Sequence, residues 1–175
     1  EGRTAPTLVE RPYERHPDNP SSETSSQTQN MNSHVEIYLH FVWATWNRED
    51  LILPDFERAL WREIRHETEA QGCRLLKIGG TPNHVHILVQ FVSTLRVADF
   101  IQQVKGASSL LVNNKISPDF HFKWQGAYGV FSVGHQEVPG IIDYINKQKT
   151  HHAQGTTIAA YEKTNQPYKR KVSSN

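Results

Sequence analysis

The chain has 175 residues, 19 Lys and Arg against 18 Asp and Glu, ten histidines and one cysteine. Its length suits one domain with a real core, and the lone Cys73 excludes an internal disulfide or a cysteine-based metal cluster and fits a reducing cytoplasm. Mean hydropathy is −0.62, and no apolar run approaches the roughly 20 residues of a bilayer-spanning helix, so the chain is read as soluble, with no membrane partner.

Charge is uneven. Residues 1–30 hold three Lys/Arg against five Asp/Glu, and residues 31–175 hold 16 against 13. That mildly basic balance permits nucleic acid as a partner without demanding it. The first 30 residues are polar and lack the apolar stretch of a secretory signal, so a cytoplasmic location is expected.

Residues 1–33 are rich in Pro, Ser, Thr, Asn and Glu with no apolar period, which predicts a disordered segment. The only methionine, Met31, closes it. Either the natural start is Met31 and the preceding stretch is an extension, or the stretch is a genuine flexible arm.

From Val35 to Trp46 the pattern is a strand, with Val35, Ile37, Leu39, Phe41 and Trp43 on one face and Glu36, Tyr38, His40 and Val42 on the other. Pro54 and Asp55 open a helix to about Gln71, with Phe56, Leu60 and Ile64 stacked at helical spacing and Gly72 as its stop. Cys73 to Ile78 is a second strand. Gly79-Gly-Thr-Pro-Asn83 makes a tight antiparallel connection into the next one.

That third strand, His84-Val-His-Ile-Leu-Val-Gln-Phe91, carries the chemistry. Alternation puts Val85, Ile87, Val89 and Phe91 on one apolar face, to lie under helices, and His84, His86, Leu88 and Gln90 on the other. Two imidazoles one pleat apart can converge on a divalent metal, or can be ordinary hydrogen-bonded strand residues. Ser93 or Thr94 then caps a helix with Val97, Ile101, Val104, Ser108 and Leu111 on one stripe. Its interior Lys105-Gly-Ala-Ser-Ser109 costs helix stability, for reasons of function or of close packing.

Residues 113–125 form a loop whose Phe120-His-Phe-Lys-Trp124 either stacks on single-stranded nucleic acid or pins the loop to the body. Tyr128 to Val133 is a fourth strand. The order β-α-β-β-α-β predicts an α+β, ferredoxin-like antiparallel sheet with both helices on one face and the second face open for a site. An added C-terminal helix runs from near Glu137 to His152, with Tyr144, Gln148 and His151 on one stripe. Tyr144 can be a boundary residue with its hydroxyl in water, or it can share a point with Gln148.

His84-Val85-His86 resembles the HUH motif, and Tyr144-x-x-x-Gln148 resembles the catalytic helix of the single-tyrosine transposases of the insertion-sequence-200/605 family, including their REP-associated relatives. Asn83-His-Val-His-Ile-Leu-Val89, Lys105-Gly-Ala-Ser-Ser109, Trp124-x-Gly-Ala-Tyr128 and Asp143-Tyr-Ile-x-x-Gln-x-x-x-His152 follow in that family's order. The resemblance covers Val35 to His152, so the expected organisation is a disordered segment over 1–33, a catalytic domain over 34–153 and a tail over 154–175. The basic Tyr168-Lys-Arg-Lys171 in that tail is either a phosphate-contacting arm or solvated.

The resemblance implies a nucleophilic reaction on single-stranded DNA. His84, His86 and the Gln148 side-chain oxygen would hold Mg²⁺ or Mn²⁺. Tyr144 would attack the scissile phosphorus to give a 5′-phosphotyrosine and a free 3′-hydroxyl. A DNA hairpin would be recognised, and a homodimer is expected, because in the family the tyrosine helix of one subunit can complete the other's site. Lys105, Ser108, Ser109, Lys123 and Trp124 are candidate DNA contacts. Asp143, about 100° from Tyr144 around the helix, should face solvent.

Other readings of the same residues are a domesticated, non-catalytic single-stranded DNA-binding protein and an endonuclease that nicks repeats without mobilising them. A structural Zn²⁺ site is disfavoured, because such sites usually close with four ligands, often cysteines. The presence of both histidines, the tyrosine and the glutamine favours retained chemistry.

Overall fold

The structure, a computed structural model, describes residues 34–117 and 119–164. The expectations for residues 1–33 and for the basic run 168–171 lie outside them. Four strands, β1 (Ile37–Ala44), β2 (Arg74–Thr81), β3 (His84–Phe91) and β4 (Gly129–Val133), form one sheet in the order β2-β3-β1-β4. Every neighbouring pair is antiparallel. With the helices α1 (Pro54–Ala70) and α2 (Val97–Leu111), this is the ferredoxin-like arrangement that the sequence predicts.

The apolar face of β3 accounts for the main core. Val85, Ile87, Val89 and Phe91 pack with Phe41 and Trp43 of β1 beneath Phe56, Leu60 and Ile64 of α1 and Phe100, Ile101 and Val104 of α2. Each such side chain contributes about 1.5–3 kcal/mol on burial, so two strands and two helices bind through one layer. Helix α1 ends where Gly72 takes a φ of 78°, a conformation available to glycine at little cost.

Three local expectations shift. Strand β2 continues through Gly79 and Gly80 to Thr81, so the connection to β3 shrinks to Pro82 and Asn83. Helix α2 begins at Val97, and Arg96 precedes it with no side-chain cap; Ser93 and Thr94 lie exposed in the preceding turn. The C-terminal helix is two: α3 (Val138–Asn146) and α4 (Gln148–Gln154), broken at Lys147, whose φ of −97° and ψ of 11° leave the helical well.

The second sheet face is covered, where the sequence had suggested an open one. Ile141 and Ile145 of α3 bury against Leu88 of β3 and Val133 of β4. A helix with that apolar stripe has nowhere else to place it. Gly79 permits the approach, since a Cβ there would stand 2.6 Å from the Ile145 carbonyl oxygen. Gly79→Ala is expected to destabilise the protein by about 1–3 kcal/mol through overpacking, read as a lower midpoint in chemical denaturation. An unchanged midpoint would mean that α3 does not press on β2.

Candidate active site

Strand alternation carries His84 and His86 to the covered face, where both are fully buried beside α3 and α4. Gln148, 1% exposed at the first turn of α4, brings its Oε1 to 3.4 Å from His84 Nε2. Tyr144 stands one turn earlier, its ring centroid 6.0 Å from that of His86 and stacked on His151 at 5.1 Å. The break at Lys147 therefore leaves tyrosine and glutamine aimed at the same two histidines. Asp143 is exposed and pairs with Lys147 at 2.8 Å.

Two further groups enter that the sequence did not signal as functional. Glu162, from the segment after α4, sets Oε2 3.4 Å from His84 Nε2 and Oε1 3.5 Å from His86 Nε2. Tyr144 donates its hydroxyl hydrogen to Glu162 Oε1 at 2.6 Å and accepts from the Ile158 N–H at 3.2 Å. A domain boundary at 153 leaves this carboxylate out. It lies in a stretch without apolar period, so no local pattern announces it. His40 of β1, also fully buried, places Nε2 2.9 Å from His86 Nδ1; alternation does put it on the histidine face, but the cross-strand register that joins it to His86 is a tertiary fact.

Arg48 ties the segment down by donating from Nη2 to the Glu162 carbonyl at 3.3 Å. It adopts a φ of 56°, after Asn47 at 50°. The left-handed region is tolerable for Asn but costs Arg about 1–2 kcal/mol.

Of the candidate DNA contacts, two lie buried in this structure. Ser108 is fully buried and Trp124 is 6% exposed, and the indole Nε1–H donates to Ser108 Oγ at 3.0 Å. Both are core groups because Trp124 packs against Trp43 and Phe122. Lys105 donates to the carbonyls of Gln125, Gly126 and Ala127 at 2.6, 3.0 and 3.3 Å, and burial pushes its ammonium down to about 8. The Lys105–Ser109 and Trp124–Tyr128 motifs thus clamp one another. Ser109 donates to its own helix, at the Lys105 carbonyl. Lys123 alone is exposed, with Nζ 3.7 Å from the centre of the Trp46 ring.

Burial governs the charges. It lowers His84 to about 4, with the neighbouring His86 adding to the effect, and it lowers His86 as well. His40 falls to about 3, again through burial first. Burial and then the Glu162 hydrogen bond raise Tyr144 above its usual 10. Burial by itself would raise Glu162, but the adjacent His86 ring and the Tyr144 hydrogen bond outweigh it and hold the carboxyl below its usual range.

These shifts make the fold acid-sensitive. An unfolded histidine protonates near 6.5, whereas His84 stays neutral until about 4. Between those values the unfolded chain binds more protons, so stability falls as pH drops through 6.5. The loss from His84 is on the order of 3 kcal/mol and is complete below about pH 4. The denaturation midpoint of the metal-free protein should therefore fall steeply from pH 6.5 to 4; a flat profile would contradict neutral buried imidazoles.

The donor set fits a divalent cation. His84, His86 and Glu162 each offer a ligand atom, all within 4.8 Å of one another, and Gln148 Oε1 adjoins them. His86 Nε2, Gln148 Nε2 and Glu162 Oε2 are buried without a hydrogen-bond partner, a cost that a bound cation would offset for the first and third.

The family described as "Transposase IS200 like" matches residues 33–148, two-thirds of the chain. The chain belongs to this family of IS200-like transposases. The Salmonella typhimurium LT2 transposase for insertion sequence element IS200 is 29% identical over 115 residues, covering 62% of this chain and 74% of that protein, and the Salmonella typhi transposase matches to the same extent. Among solved structures, a protein from Deinococcus radiodurans R1 described as a transposase shares 23% identity at a TM-score of 0.54, covering 67% of this chain and 94% of its own. A REP-associated tyrosine transposase bound to a REP hairpin shares 14% identity at the same TM-score, covering 69% and 71%. At those identities the two structures establish the IS200-like fold alone: a four-stranded antiparallel sheet with helices, to which α3 and α4 are added.

Proposed function

We propose that this IS200-like transposase is a metal-dependent single-stranded DNA strand transferase with Tyr144 as nucleophile. One observation carries the reading: the Tyr144 hydroxyl shares the Glu162 carboxylate with the two buried HUH histidines. A boundary tyrosine would turn that hydroxyl to water.

His84 and His86, with Gln148 Oε1 and Glu162 as further donors, would hold Mg²⁺ or Mn²⁺. When bound, the cation polarises the scissile phosphate and offsets developing charge. The chain's own groups do the rest. Glu162 Oε1, already accepting the Tyr144 hydrogen, takes that proton as Tyr144 Oη attacks phosphorus. The bond from phosphorus to the 3′-oxygen breaks, that oxygen takes a proton from solvent to become a free 3′-hydroxyl, and the phosphate keeps its 5′-oxygen while gaining the ester to tyrosine. The bond energy stays in the phosphotyrosine, so a 3′-hydroxyl from another end can attack it, release Tyr144 and rejoin the strands without ATP. The apolar packing of Ile141 and Ile145 on Leu88 holds the nucleophile's helix against the histidine strand.

The solved likeness bound to a REP hairpin supports a hairpin as the recognised DNA feature. Lys123 beside exposed Trp46 remains a candidate DNA contact. Within one chain both histidines, the glutamine, the glutamate and the tyrosine lie together, and the resemblance supports a homodimer as the acting form. A cytoplasmic location is part of the same proposal, since its DNA substrate would be met there. Among the described residues no helix is long and apolar enough to cross a membrane.

The test is a denaturing gel of the protein with single-stranded, hairpin-bearing DNA from its own flanking region, with Mn²⁺ and with chelator. A covalent band that needs the cation supports the strand transferase. Hairpin binding with no band would favour the non-catalytic DNA-binding reading.

A further inference from the structure

The reaction leaves one buried histidine without a role. His40 and His86 lie on neighbouring strands, rings 5.1 Å apart and 24° from parallel, with His40 Nε2 2.9 Å from His86 Nδ1. His40 is otherwise walled by the rings of Phe131 and Tyr161, and its Nδ1 is buried with no partner.

Two ring nitrogens at that distance share one proton. One of the two nitrogens must donate and the other accept across 2.9 Å, so a neutral pair has only two arrangements. In the first, His40 Nε2–H donates to His86 Nδ1, and His86 keeps its own proton on Nε2, toward Glu162 Oε1. In the second, His86 Nδ1–H donates to His40 Nε2, and the His86 Nε2 lone pair is free. A cation can bind His86 Nε2 only in the second.

We propose that His40 is the positioning residue of the cation site, accepting the Nδ1–H hydrogen bond that His86 must donate when its Nε2 holds the cation. This rests on the metal reading above. Metal-bound histidines commonly donate their second N–H to an outer partner that fixes tautomer and ring orientation. Here that partner is a neutral imidazole, which adds no negative charge next to the cation.

Without cation the pair adopts the first arrangement. His86 Nε2–H then faces a carboxylate oxygen, and His40 Nδ1 is left as an unpaired acceptor, less costly than an unpaired donor. On loading, His86 Nε2 gives its proton to solvent, the shared proton moves from His40 Nε2 to His86 Nδ1, and His40 Nδ1 gains one from solvent. The pair's net charge is unchanged.

The test is Mn²⁺ affinity, read by electron paramagnetic resonance well above the imidazole pKa range, for the full chain and for His40→Phe, His40→Gln and His86→Ala. His40→Phe is expected to weaken binding about 10- to 100-fold, and His40→Gln, whose amide oxygen can accept, to recover most of it. Ring-nitrogen NMR of the unaltered protein is expected to report His86 as Nε2–H without Mg²⁺ and Nδ1–H with it. Unchanged affinity in His40→Phe, while His86→Ala has lost binding, would overturn the role of His40 alone. Full binding in His86→Ala would overturn the ligand reading and this inference with it. If His40→Phe fails to fold, the NMR decides: one His86 tautomer in both conditions overturns the proposal.

Discussion

Tyr144→Phe is expected to abolish the covalent protein–DNA adduct while leaving hairpin binding within about threefold of the unaltered protein, since the ring's packing is kept. Removing a nucleophile costs about 10⁴-fold or more in the chemical step. The variant should still fold. It keeps the ring contacts with His86, His151 and Tyr161 and loses only the bonds of the hydroxyl to Glu162 and Ile158. Unpairing such groups costs about 1–3 kcal/mol, less than the stability of a typical domain. Denaturing gels and a binding titration on the same preparations separate the two effects. An undiminished adduct would remove Tyr144 as nucleophile and turn attention to Tyr161, whose ring lies 5.4 Å away.

His86→Ala should produce the second large loss. The substitution removes one candidate ligand and leaves His40 Nε2 without its partner in a buried site. Outer partners of metal ligands are worth about 10- to 100-fold, so loss of a ligand itself should reduce cation-dependent cleavage by at least about 100-fold. Mn²⁺ binding and cleavage should fall together, whereas binding of the hairpin in chelator should persist. Cleavage unchanged both by the substitution and by chelator would take the cation out of the mechanism.

Much of this architecture is legible in short-range pattern. The period-2 alternation of His84–Phe91 assigns the apolar side chains to the helices and the two histidines to the opposite face. The spacing of Phe56, Leu60 and Ile64 marks the buried stripe of α1. The ordered motifs point to the family, and the family model agrees. Where local signals compete, the pattern misleads. Ser93 and Thr94 look like caps, yet α2 starts at Val97. Aromatic Trp124 looks like a stacking platform, yet it is packed on Trp43 with its N–H on Ser108, because burying an indole outweighs exposing it for a partner.

What the sequence by itself determined is which side chains share a face, since a strand or helix period is a property of neighbouring residues. What only the tertiary structure decided is which faces meet. The register of β1 on β3 brings His40 to His86, the clearance at Gly79 lets α3 close the second face, and a segment with no period returns to set Glu162 between two histidines and Tyr144. Those meetings depend on complementary surfaces far apart in the chain, and no local repeat encodes them.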